Sequence, residues 1–156
     1  MICPFCTSAT KIYNSRSTHS KTQTWRRHRC QSCNRTFTTR ERVDWTGSTT
    51  VTTQDGSSGY SRERLLLSLA KSSNNLQIQP AMLAELCDSI EIQLQQTGFF
   101  AEPAQDALLI TQVATTVTSR YSPNYALQYV NTVYRNNPPL ELIKHLVGAE
   151  KGSQST

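Results

Sequence analysis

The chain has 156 residues, of which 17% are charged, and a formal net charge of +5. This length is enough for one ordinary domain or two small ones. The sequence contains no apolar run of about 18 residues, which argues against a membrane-spanning helix. No apolar signal segment precedes the first cysteine, so we expect a cytoplasmic protein with reduced thiols.

The positive charge is concentrated in the first part of the chain. Residues 1–45 contain nine Lys and Arg against two acidic residues, a net charge of +7. Residues 46–156 contain seven Lys and Arg against nine acidic residues, a net charge of −2. A basic segment joined to a mildly acidic body predicts that the first part contacts a polyanion and the second does not.

Two CxxC pairs, twenty-four residues apart, lie within the basic segment. They supply the four candidate metal ligands Cys3, Cys6, Cys30 and Cys33. Two such pairs framing a strand-sized insert are typical of a four-cysteine zinc ribbon, in which each pair provides half of a tetrahedral site. Disulfides or redox chemistry are alternatives, but no βαβ pattern accompanies the pairs. His19 and His28 are not needed as ligands, because four cysteines complete the site.

Three short strands are predicted around these pairs, near Ile12, along residues 25–29 and along residues 35–40. The aromatic residues of this segment are expected to pack around the metal rather than stack on bases: Phe5, Tyr13, Trp25 and Phe37. A dense run of cations precedes Cys30, and His28 is expected to add to its basic surface. Guanidinium groups suit phosphate oxygens and guanine edges, although charge runs are often only a solvated face.

The ribbon segment resembles the NrdR family of bacterial repressors of ribonucleotide reductase genes. The resemblance rests on Cys3-Pro4-Phe5-Cys6, on Ser15-Arg16, on the run from Trp25 to Cys30, and on the segment from Arg35 to Thr39. Asn14 stands where the family has Asp, His28 interrupts the arginine run, and Thr36 precedes Phe37. The resemblance implies that DNA is contacted by Arg16, Arg26, Arg27 and Arg29.

The second part of the chain predicts a β-hairpin followed by four or five helices. Asp55-Gly56 is a hairpin turn signal after a Thr-rich strand. Helix starts are predicted at Ser61, Pro80, Pro103 and Ser122-Pro123, and Gly98 is expected to end the second helix. Cys87 lies on an apolar helical face and is expected to be a small buried hydrophobe. The predicted fold class is α+β, with units at 1–45 and 46–140 and a short helix and loose tail at 141–156.

The order of these elements resembles the ATP-cone of the same repressors, which binds ATP or dATP. By this resemblance, the nucleotide-binding candidates are Val51, Thr53, Gln54, Asp55, Gly56, Arg64 and Arg135. Thr53 and Gln54 replace a Lys and an Arg of the family, so two cations are missing where a triphosphate would need them. Retained nucleotide binding and a scaffold that serves only for oligomerisation both remain open.

The leading hypothesis is therefore a cytoplasmic, zinc-dependent repressor that binds double-stranded promoter DNA as a homo-oligomer and responds to ATP or dATP. The alternative is a zinc-ribbon adaptor that docks on RNA polymerase or another protein, with an oligomerisation module that no longer binds nucleotide. An enzyme is not expected. The sequence has no Gly-rich phosphate loop and no His/Asp/Ser grouping, and we assign no catalytic residue.

Overall fold

The structure is a computed structural model that describes residues 1–17, 23–74, 76–135, 137–140 and 142–144. The chain divides into two compact units, Met1–Asp44 and Trp45–Thr156, which we call the ribbon unit and the helical unit. Within the described ranges, no helix is both long enough and apolar enough to cross a membrane. His19 lies outside the described residues, and of the short helix and loose tail predicted at 141–156 the structure describes only residues 142–144.

The ribbon unit is a three-stranded antiparallel sheet. Its strands are β1 (Thr10–Ser17), β2 (Gln23–Cys30) and β3 (Thr36–Arg42), with β2 in the centre. The pairing of β1 with β2 is interrupted at Tyr13, because Ile12 pairs with His28 and Asn14 already pairs with Arg27. Tyr13 is therefore the extra residue of a β-bulge, which changes the face to which the rest of β1 points.

The helical unit combines a second small sheet with a group of helices. The strands are β4 (Thr50–Thr53), β5 (Gly56–Gly59) and β6 (Ala104–Asp106), in the order β5-β4-β6. The helices are α1 (Arg62–Ser72), α2 (Pro80–Gln96), a 3₁₀ turn (Phe99–Ala101), α3 (Ala107–Tyr121) and α4 (Pro123–Val133). This mixture of small sheets and helices confirms the predicted α+β class.

Local signals set most of the helix boundaries. The Ser61 hydroxyl accepts from the Arg64 N–H, and the Ser122 hydroxyl accepts from the Tyr125 N–H. Pro80 stands in the first turn of α2, where its missing N–H costs no hydrogen bond. Gly98, with φ of +76°, follows the end of α2 in a left-handed conformation that a glycine adopts without strain.

The predicted start of the third helix at Pro103 is wrong. Residues 104–106 form β6, which pairs in parallel with β4, and the side chain of Asp106 caps α3 by accepting from the Leu108 N–H. The Pro103 carbonyl accepts from the Thr50 N–H at 2.9 Å, which ties this segment to the hairpin. A strand of three residues is too short to show an alternating pattern, so the sequence alone did not reveal it.

The core of the helical unit is built from all of its helices. Fully buried side chains include Leu69, Ile90, Phe99 and Tyr125. Cys87 is buried in the same core, as its place on an apolar face predicted. A cluster of charged groups lies beside this core: the Arg62 guanidinium bridges α1 to α2 through Asp88 and Glu91. Because Tyr60 also donates to Glu91, the buried carboxylate has partners from two segments.

Candidate metal centre and nucleic-acid interface

The two cysteine pairs lie on turns of the same design. Thr7 and Asn34 directly follow the second cysteine of each pair, and both have positive φ, at 57° and 58°. In the first turn, the Thr7 N–H donates to the Cys3 carbonyl at 2.9 Å. The left-handed residue reverses the chain immediately after the pair, which leaves both thiols of the turn on its inner side.

The four thiols converge on one point. The Sγ atoms all lie within 4.8 Å of one another, with 3.7 Å between Cys3 and Cys33 and 3.4 Å between Cys6 and Cys30. A tetrahedral zinc ion with Zn–S bonds of about 2.3 Å requires sulfurs about 3.8 Å apart. The donor set and its spacing therefore fit a structural zinc ion, which would close a site with no open coordination position.

Backbone N–H groups support the thiolate forms unequally. Cys30 Sγ accepts from the N–H groups of Ser32 and Cys33 at 3.4 Å each. Hydrogen bonding from the Ser8 backbone lowers the pKa of Cys6 to about 6. The Arg35 backbone favours the Cys33 thiolate, but burial and the neighbouring cysteines together raise the pKa of Cys33 to about 11. A divalent cation among the four sulfurs would favour the thiolate form of each cysteine.

One face of the ribbon sheet carries most of the positive charge. Directly paired residues of antiparallel strands share a face, and alternate residues along a strand return to it. By this register, one face, which we call the arginine face, consists of Lys11, Asn14, Arg16, Gln23, Trp25, Arg27, Arg29, Thr36, Thr38, Arg40 and Arg42. Its six cations are all exposed, and the strand residues that form it include no carboxylate. Such a surface is suited to a polyanion.

The bulge at Tyr13 determines the face of the sheet on which Arg16 lies. Strict alternation along β1 would place Arg16 on the face opposite Lys11, because the two are five residues apart. The extra residue brings Asn14 opposite Arg27 and Arg16 opposite Trp25, so that Arg16 joins the arginine face. The structure thus groups Arg16 with Arg27 and Arg29, three of the four arginines that the resemblance implied.

Arg26 and His28 lie on the other face of β2. Arg26 forms an ion pair with Glu41, which neutralises its charge locally. His28 is buried, stacks on Phe37 with ring centroids 4.9 Å apart, and lies 2.8 Å from the Thr39 hydroxyl. The prediction that His28 adds to the basic surface is therefore wrong, because residue 28 shares its face with Cys30 and packs inward.

The aromatic residues are not all packed around the metal. Phe5 and Tyr13 are about half exposed, at 51% and 54%. The Arg35 guanidinium instead lies over the Phe5 ring, 5.0 Å from the ring centroid, in a cation–π contact. Phe37 stacks on the buried His28 ring, and Trp25 lies half-buried on the arginine face.

Four of the seven nucleotide candidates lie around one cleft in the helical unit. Thr53, Gln54, Asp55 and Arg135 line a space of about 590 Å³, together with Asp106 and Thr111. Of the other candidates, Val51 is buried in the core, and Gly56, with φ of +131°, is the first residue of β5, directly after the turn formed by Gln54 and Asp55. Arg64 is not among the lining residues, and its guanidinium donates to Ser58 on β5.

Sequence reasoning missed Lys11, Arg40 and Arg42 as members of the basic surface. Each is separated along the chain from the arginine run, and only the strand pairing brings them to the same face. The alternation Thr36, Thr38, Arg40 and Arg42 on β3 was a signal that could have found two of them, since these residues share one face of a strand.

Comparison with known proteins agrees with this structure. Residues 1–41 match the family described as "Transcriptional repressor NrdR-like, N-terminal domain". A protein named "Transcriptional repressor NrdR" from Picosynechococcus sp. is 27% identical over 94% of this chain and 81% of its own length. Proteins of the same name from Myxococcus xanthus and Finegoldia magna are 34% and 30% identical over 63% of this chain. These two matches span 59% and 66% of the relatives' own lengths.

The four-cysteine site and the three-stranded sheet define a zinc-ribbon protein with an appended α+β unit. The match of the ribbon and the named relatives then identify the family. The chain belongs to the NrdR family, with the family match covering the ribbon and the relatives extending into the helical unit.

Proposed function

We propose that this protein is a zinc-dependent transcriptional repressor that binds double-stranded DNA through the arginine face of its ribbon unit. The observation that carries the proposal is the collection of six exposed cations, without a carboxylate, on one face of a small sheet. The names of the relatives supply the regulatory role. The family resemblance extends the proposal to promoters of ribonucleotide reductase genes.

In this proposal, the zinc ion has a structural role. Cys30 is the last residue of β2, so the metal site fixes the end of the strand that bears Arg27 and Arg29. A unit of about forty residues buries too little apolar surface to fold firmly by itself. Zinc bound to the four cysteines would therefore supply the stability that keeps the arginine face in one geometry.

Salt dependence tests the DNA assignment. With about five phosphate contacts, the logarithm of the affinity for duplex DNA should fall with the logarithm of salt concentration with a slope of roughly −4 to −5. The double variant Arg16→Ala/Arg29→Ala should reduce this slope by about two. A matched control, Lys71→Ala/Arg120→Ala, removes the same charge from the helical unit and should leave the slope unchanged. Equal effects of both variants, or salt-insensitive binding to a protein partner, would favour the adaptor function instead.

For the helical unit, we infer that the cleft does not hold a nucleoside triphosphate. The described residues that line it include one cation, Arg135, against the carboxylates of Asp55 and Asp106. Thr53 and Gln54 offer neutral groups where charge-assisted contacts to phosphates would be needed. Control of repression by ATP or dATP is the competing proposal, and it predicts a measurable nucleotide complex.

We further propose that the helical unit pairs copies of the chain. The arginine face is small, and a single ribbon contacts too few base pairs for strong discrimination among genomic sites. Several ribbons on a homo-oligomer would multiply the affinity through effective concentration. Light scattering on the purified chain should give a mass above that of one subunit. The proposed function places the protein in the cytoplasm, where the DNA of bacteria such as these relatives lies.

A further inference from the structure

The arginine face is an ordered grid of side chains rather than a diffuse basic surface. Three rows run across the three strands: Lys11–Arg29–Thr36, then Asn14–Arg27–Thr38, then Arg16–Trp25–Arg40. Neighbouring residues within a row are about 5 Å apart, and successive rows are about 7 Å apart. Each outer row has two cations, whereas the middle row has one cation and two uncharged hydrogen-bonding side chains.

The dimensions of the grid match the major groove of B-DNA. The outer rows are separated by about 14 Å, close to the groove width of about 12 Å, and the minor groove is only about 6 Å wide. Cations of the two outer rows can therefore reach the phosphates on both sides of the major groove. In that position, the strands cross the groove and the middle row runs along its floor. A row about 10 Å long meets roughly three base pairs.

The side chains of the middle row are those that read base edges. Asn can form paired hydrogen bonds with N6 and N7 of adenine, and Arg with O6 and N7 of guanine. The Thr38 hydroxyl can bond to either kind of base, and its methyl group can contact the thymine methyl. Asn14 occupies this row only because of the bulge at Tyr13, which turns it to the side of Arg27.

From this arrangement, which rests on the proposed DNA binding, we propose that Asn14 and Arg27 determine sequence specificity. They read adjacent base pairs in the major groove of double-stranded DNA, with Thr38 beside them. Lys11, Arg16, Arg29 and Arg40 hold the phosphates and contribute affinity without sequence preference. The preferred site accordingly contains a guanine next to an adenine or its complement.

The test uses the zinc-loaded full-length chain and a duplex selected from a random pool. Affinity is measured for the selected duplex and for one in which the central base pairs are exchanged. Asn14→Ala should reduce the ratio of the two affinities by about 5- to 150-fold without changing the salt slope. Lys11→Ala should weaken both complexes alike and reduce the slope by about one. Ser15→Ala, one residue away on the opposite face, is the matched control and should change neither.

Three results would be decisive. If Asn14→Ala keeps the wild-type ratio of affinities for the selected and exchanged duplexes, the middle row does not read the bases and the proposal is overturned. A loss of discrimination in Lys11→Ala, or tighter binding to duplex RNA of the same sequence, would also overturn it, because the deep, narrow major groove of RNA does not admit the sheet. If the wild-type chain binds no duplex in a salt-dependent manner, the proposed function itself fails, which is a different outcome from altered discrimination.

Discussion

Arg26 is paired with Glu41 on one face of the ribbon sheet, while Arg27, its neighbour in the chain, points to the other face. The basic run at residues 26–29 is therefore divided between two surfaces. This division predicts which charges contribute to nucleic-acid binding.

Arg26→Ala is predicted to have a much smaller effect on DNA affinity than Arg29→Ala. Arg29 is an exposed member of the arginine face, and losing one charge-assisted contact to phosphate should weaken binding roughly tenfold. Arg26 has Glu41 as its partner, so its removal should leave the salt slope unchanged. Titration of labelled duplex at several salt concentrations measures both quantities. An equal loss in the two variants would contradict the division of the faces.

Chelation of zinc should unfold the ribbon unit and abolish DNA binding. The helical unit has its own hydrophobic core and should keep its cooperative unfolding transition. Circular dichroism and hydrogen exchange measure the two effects separately. Cys30→Ser should reproduce the loss, whereas Cys87→Ala, a change in the helical core, should retain one zinc ion per chain by elemental analysis. Protected amides in the strands of zinc-free protein would contradict the structural role of the metal.

Arg62→Ala should destabilise the helical unit by about 3–5 kcal/mol, because it leaves two carboxylates without their buried cation. The free energy of unfolding in urea measures the change. Arg120→Ala removes an exposed arginine from α3 and should lie within about 0.5 kcal/mol of wild type. A similar small effect at both positions would mean that the Arg62 bridge is not formed in solution.

At alkaline pH, the buried tyrosines of the helical unit should ionise only when the unit unfolds. Burial raises the pKa of Tyr60 and of Tyr125, and it raises the pKa of Tyr129 to about 12. A folded-state pKa above the unfolded value of about 10 gives stability that is complete below pH 10 and is lost as the pH rises towards the folded-state pKa. The phenolate absorbance of these three buried tyrosines should therefore appear together with loss of helical circular dichroism. Independent, gradual ionisation of all tyrosines would disagree with this burial.

Adding positive charge to the cleft at residues 53 and 54 should create nucleotide binding. The wild-type chain is predicted to show no bound ATP or dATP in native mass spectrometry, because the described residues that line the cleft include more carboxylates than cations. Thr53→Lys/Gln54→Arg should create measurable binding by calorimetry. Ser57→Lys adds a charge on the other strand of the hairpin, outside the cleft lining, and serves as the control. A stoichiometric nucleotide complex of the wild-type chain would support nucleotide control instead.

The sequence by itself determined the chemistry that depends on local spacing. Two CxxC pairs predict the four candidate metal ligands because each pair needs only one turn to direct both thiols. Ser61 and Ser122 mark helix starts because a cap acts within three residues. The burial of Cys87 followed from helical periodicity.

Only the tertiary structure decided which side chains act together. One extra residue in β1 turns Asn14 and Arg16 towards Arg27, and no local pattern announces a bulge. The same pairing places His28 inside and Arg26 beside Glu41. The carboxylate of Asp106 joins Asp55 at the cleft because β6 pairs with β4 across more than fifty residues of chain. Strand register is set by contacts between distant segments, so its consequences cannot be read from one segment at a time.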